Sequence, residues 1–144
     1  MRHFGAITVI IVEWDNVEET IIRWTFPKKW AWTEFYKAIN QNTTLVTSVT
    51  HKVDMIIDMR DTNTLPSNVL TQTGISMQTS PFNIGLIVVV GVHPLIRATF
   101  NNFRRINQAL MNYRNSDVRI VALEHKAYEL ITTSQQHRKI AWND

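Results

Sequence analysis

A chain of 144 residues with 44% apolar and 19% charged side chains has the composition of one globular domain and not of a disordered segment. A formal charge of +3, with no Lys/Arg run longer than a pair, gives no sign of nucleic-acid binding. The absence of cysteine excludes disulfides, thiolate metal centres and thiol catalysis.

No apolar run approaches the ~20 residues of a membrane span, so no membrane insertion is expected. The N-terminus, Met-Arg-His-Phe-Gly, runs into a strand-like pattern without a small-residue cleavage site, and the chain reads as cytoplasmic. Asn42-Thr43-Thr44 is then a chance match to a glycosylation acceptor.

Ile7 to Trp14 is almost wholly β-branched or aromatic, and Asp15 to Glu19 interrupts it before a second run, Thr20 to Phe26. In that run Ile22, Trp24 and Phe26 share one face and Arg23 and Thr25 the other, which predicts a β-hairpin ended by Pro27-Lys28-Lys29. From Ala31 to Val49 the period lengthens to that of a helix, with Trp32, Phe35, Tyr36, Ile39, Val46 and Val49 on one stripe. Thr33 and Glu34 place a hydroxyl and a carboxylate where the helix start favours them.

Val53 to Met59 reads as a strand, and Pro66 suits the first turn of a helix over Ser67 to Ser80, weakened by Gly74 and by six Ser or Thr residues. Ile84 to Gly91 (Ile-Gly-Leu-Ile-Val-Val-Val-Gly) is the central strand, apolar enough to be buried on both faces. A helix over Leu95 to Asn112 carries Ile96, Phe100, Phe103, Ile106 and Leu110, with Arg97, Arg104, Arg105 and Arg114 around it as a solvated face. After Ser116-Asp117, Val118 to Leu123 is the last strand, and Glu124-His125 opens a final helix with Ala127, Leu130 and Ile131 inward. A basic, loosely held tail is expected from about residue 136. With no repeat and no linker, residues 1–144 form one α/β domain: a mixed sheet of an N-terminal hairpin plus parallel strands, with about four helices.

This order resembles the STAS domain, the fold of bacterial anti-sigma factor antagonists and of the cytoplasmic tails of sulphate transporters. The likeness covers nearly the whole chain. It rests on element order and on Val53-Asp54-Met55-Ile56-Ile57-Asp58, where that family has an apolar strand ending in Asp or Asn. The stretches Ile22 to Pro27 and Trp30 to Phe35 look like divergent members described as STAS-like or SpoIIAA-like. In signalling members a Ser or Thr at the start of the second helix is phosphorylated by a partner kinase, within a motif resembling Asp-Ser-Ser-Gly. Ser67 occupies that place, while Pro66, Asn68 and Val69 stand where the family has Asp, the second Ser and Gly. The resemblance implies a phospho-acceptor at Ser67; local chemistry alone makes it a helix cap.

Parallel α/β sheets bind ligands beyond the carboxyl ends of their strands. There the chain offers Asp58, Arg60 and Asp61, then His93, then Glu124 and His125. These residue types suit acid–base chemistry or partner contacts, although none stands at a recognised metal-ligand spacing. The chain has no G-x-G-x-x-G, P-loop, G-x-S-x-G or H-E-x-x-H, and no cofactor or metal is expected. The crowded aromatic quarter (Trp14, Trp24, Phe26, Trp30, Trp32, Phe35, Tyr36) reads as core, or else as an apolar surface or pocket. The expectation is therefore a non-catalytic regulatory or interaction domain that docks a partner protein and pairs with itself. The alternatives are a carrier of a small apolar ligand or lipid, and an enzyme using the strand-end His and Asp/Glu residues.

Overall fold

The computed structural model describes residues 8–143 except 79, 92, 115 and 116. The expected strand start at Ile7, Ser116, and the side chains of Leu70, Met77, Ile96 and Arg114 lie outside what is described. The elements run β1 (Ile11–Trp14), β2 (Ile21–Thr25), α1 (Trp32–Thr47), β3 (Val53–Asp58), α2 (Val69–Gln78), β4 (Ile84–Val90), α3 (Pro94–Ile106), α4 (Gln108–Arg114), β5 (Asp117–Val121) and α5 (Glu124–Asn143).

The five strands lie in chain order, β1-β2-β3-β4-β5. β1 is antiparallel to β2, and every later neighbour is parallel. The domain is thus α/β with a mixed sheet, a hairpin followed by parallel strands. Each crossover steps one place in the same direction, and the right-handed rule puts the crossover helices on one face. The side chains agree. Ile22, Trp24, Val53, Met55, Val89 and Val118 form one cluster with residues of α1 to α4, whereas Ile21, Ile56, Val88 and Val90 meet Ala127 and Ile131 of α5.

The aromatic quarter is mostly core. Trp24, Phe26, Trp30 and Phe35 are all buried, with ring centroids 5.1–5.9 Å apart. Trp32 packs edge-on to Trp30 at 5.2 Å, and Tyr36 emerges at the surface. At the hairpin, Asn16 Oδ1 accepts from the backbone N–H groups of Thr20 and Ile21, and Glu19 takes the left-handed conformation (φ 57°). At the start of α1, Glu34 Oε1 accepts from the N–H of Ala31.

Three boundaries differ from the sequence reading. The single helix expected over Leu95 to Asn112 breaks at Asn107, whose amide Nδ2 and backbone N–H both donate to the carbonyl of Phe103. A side chain that competes for a helix carbonyl interrupts the ladder, so there are five helices rather than about four among the described residues. The segment after Gln136, expected as a loose tail, continues α5, and Arg138 reaches into the sheet. The helix expected from Ser67 begins at Val69. The carbonyl of Asn68 accepts the first helical hydrogen bond, from Gln72, and this puts Asn68 at the cap position.

Candidate functional site

Three of the strand-end residues meet, and they meet an unexpected fourth. Asp58 ends β3 on the α5 face, and Arg60, two residues on, turns back to it. Asp58 Oδ1 accepts from the Arg60 backbone N–H (3.1 Å) and Nε (2.9 Å). Its Oδ2 accepts from Nη2 of Arg60 (2.7 Å) and Nη2 of Arg23 (2.6 Å). Glu124, at the start of α5, closes the ring through Arg23 Nη1 (3.1 Å) and Arg60 Nη2 (3.0 Å).

Two guanidiniums and two carboxylates cancel, and only Arg60 is well exposed. Burial pushes the Asp58 carboxyl up, but the hydrogen bonds from Arg60 and the charges of Arg60 and Arg23 outweigh it and hold it below the ordinary 3.8. The same bond to Asp58, opposed by burial, drives the Arg60 guanidinium to bind its proton more tightly. A general acid or base works best with a pKa near the operating pH, and this pair moves away from neutrality in both directions. The ring is a clasp between sheet and α5 rather than a set of groups free to react.

The remaining strand-end candidates go elsewhere. His93 precedes α3 and its Nδ1 accepts from the N–H of Leu95 (3.2 Å), the role of an N-cap before Pro94. His125 and Asp61 are exposed, and α5, which carries His125, packs on the sheet face opposite that of α3. Among the described residues no group of three or more His, Asp or Glu is arranged to hold a metal ion.

Ser67 is exposed in the loop between β3 and α2, but its backbone is pinned. Its carbonyl accepts from Trp32 Nε1 (2.9 Å), while Leu65 and Val69 on either side pack against the main core. Tyr36 Oη donates to Gln72 Oε1 and ties α1 to α2 a turn further on. Asn68, next to Ser67, has φ 61°, a left-handed conformation that asparagine adopts more readily than most side chains.

A second clasp, at the other end of α5, went unread in the sequence. Asp54 of β3 is fully buried, and its carboxylate accepts from the N–H of Leu86 (2.8 Å), Gln135 Nε2 (3.0 Å) and Arg138 Nη2 (2.6 Å). Here Val53 pairs with Ile84 but Met55 with Ile87, so β4 carries one extra residue, a bulge. The amide of Leu86 released by the bulge is taken by Asp54. A Cβ on Gly85 would stand 2.6 Å from Asp54 Oδ1 and 3.0 Å from Arg138 Nη1, so only glycine leaves room for the pair. Between these clasps Tyr128 donates to Asp15 Oδ2 (2.8 Å), and burial together with that bond pushes its phenol up to about 12.

Hollows lie on both faces of the sheet. A cleft of about 680 Å³ lies beside the second clasp, with Leu86, Leu130, Lys52, Arg119, His137 and Arg138 among its walls. Burial and the charge of Arg138 outweigh the attraction of Asp54 and lower the pKa of the Lys52 ammonium, which donates to the carbonyl of Phe82 (3.0 Å). On the opposite face an apolar cavity of about 130 Å³ lies between the sheet, α1, α2 and α3.

With this geometry in hand, comparison with protein families, with curated proteins and with solved structures returned no match. Among the described residues no helix is long and apolar enough to cross a membrane.

Proposed function

We propose that this chain is a STAS-like regulatory domain, without a catalytic role, that docks a partner protein in the cytoplasm through the loop carrying Ser67. The observation that carries the reading is the state of that loop: Ser67 is exposed while its own carbonyl is tied to Trp32 and its neighbours Leu65 and Val69 are anchored in the core. A surface segment held in one conformation loses little freedom on binding, which favours recognition. The strand directions are consistent with the fold-level likeness, since an antiparallel hairpin followed by parallel strands is what the STAS resemblance leads one to expect. The closed ion-pair ring argues against an enzyme built on Asp58. Phosphorylation of Ser67 would set nearly two negative charges beside the first turn of α2 and alter the docking surface.

The test is site-specific photo-cross-linking in the source cells, with the cross-linker at Asn68 and, as a control, at Lys139 on α5. The expected result is one discrete protein adduct from position 68, lost in Ser67→Asp and not produced from position 139; an adduct of twice the chain mass would identify the partner as a second copy. Identical adducts from both positions, or none from position 68, would end the proposal.

A further inference from the structure

The apolar cavity beneath α2 is a hollow that the docking reading does not use. Its walls include Trp24 and Val89 from the sheet, Phe35 from α1, and Phe100 and Phe103 from α3. The polar atoms nearest to it are engaged. Asn42 Oδ1 accepts from Trp24 Nε1 (3.0 Å), and on the α2 side the hydroxyls of Thr73 and Ser76 donate to the carbonyls of Val69 and Gln72 in their own helix. Among the described residues no charged side chain belongs to the wall. Water needs several polar partners to occupy a hollow, and a dry apolar void of about 150 Å³ is large enough for benzene.

We infer that this cavity is a binding site for a small uncharged aromatic compound of about one ring. Its volume of about 130 Å³ fits one ring and little more. Its aromatic walls offer the offset and edge-on contacts that rings prefer, and a charged ligand would be stripped of water without a partner.

The way in is through α2. Its segment Val69–Gln78 holds Gly74 with Thr71, Thr73 and Ser76, residues of low helix propensity, and it packs chiefly against α3 rather than against the sheet. A helix of that kind opens at less cost than its neighbours and serves as a lid. The inference is independent of the Ser67 reading, because it needs only the cavity and its cover.

The experiment is a titration of the whole chain, labelled at Ile, Leu, Val and Met methyl groups, with benzene and separately with benzoate. Benzene is expected to shift the methyls of Met55, Ile57, Ile87 and Val89 and to leave those of Ile21, Ile56, Val88 and Val90, on the α5 face, in place. Benzoate is expected to shift neither set. Thr73→Leu, which puts a side chain into the cavity, is expected to abolish the benzene shifts and raise Tm. The inference is overturned if saturating benzene leaves the first set unmoved, if benzoate moves it equally, or if the shifts persist in folded Thr73→Leu. Should that variant fail to fold, the pattern in the unaltered chain decides alone.

Discussion

The two faces of the sheet are covered by different physics. The face under α1 to α4 is closed by aromatic and aliphatic packing, with Trp24, Phe26, Trp30 and Phe35 at its centre and a void beside them. The face under α5 is closed by one helix whose apolar contact is modest, and three polar fastenings hold that helix, two in its first two turns and one in its second half: Glu124 to Arg23 and Arg60, Tyr128 to Asp15, and Gln135 and Arg138 to Asp54. Packing energy is spread over many contacts and fails gradually. A buried ion pair stripped of one partner leaves an uncompensated charge and fails abruptly. The α5 side is therefore built to stay shut, and the α2 side has the slack that ligand entry requires.

The largest effect expected from this contrast is at the buried end of α5. Arg138→Met keeps the stem and removes the charge, leaving Asp54 in the sheet without its ion-pair partner; the loss of unfolding free energy in urea titration should be about 3 kcal/mol or more. Gly85→Ala attacks the same clasp sterically and should cost about 1–3 kcal/mol, a penalty that shrinks when Asp54→Ala is made with it. A cost for Gly85→Ala that Asp54→Ala leaves unchanged would show that the close approach to Asp54 is not what excludes a side chain there.

A smaller effect is expected at the strand-end ring, and it carries a pH signature. The Asp58 carboxyl titrates lower in the folded chain than in the unfolded one, so its stabilisation is complete above the unfolded value of 3.8 and is lost as pH falls through the folded value. Asp58→Asn should cost about 2 kcal/mol near neutral pH, and its stability should then fall less steeply than that of the unaltered chain on acidification. Denaturant midpoints measured across the acid range check both statements, and parallel acid limbs would contradict them.

The architecture was readable because period and composition carry it. The β-branched runs, the aromatic stripe of α1 and the hydrophobic stripe of α3 each identify an element without reference to any other. The failures were local competitions: the Asn107 amide taking the carbonyl of Phe103, and a polar, basic C-terminal stretch that remains helical to Asn143 with Arg138 bonded to Asp54. Of the candidate residues, Asp58, Arg60 and Glu124 come together because neighbouring parallel strands end at the same edge. Arg23 and Arg138 could not be placed beside their carboxylates, since those pairings span 35 and 84 residues and depend on strand order and register. One clue did stand in the sequence. Gly85, inside an otherwise branched strand, marks the point where another group needs its space.

The contrast between the two covers is tested most directly by native-state hydrogen exchange read residue by residue at low denaturant. The account predicts that amides of α2, Thr71 to Gln78, exchange through an opening of lower free energy than amides of α5 from Ala127 to Gln135, which should be released only near global unfolding. Opening of α5 before α2, or exchange of both at one common free energy, would contradict it.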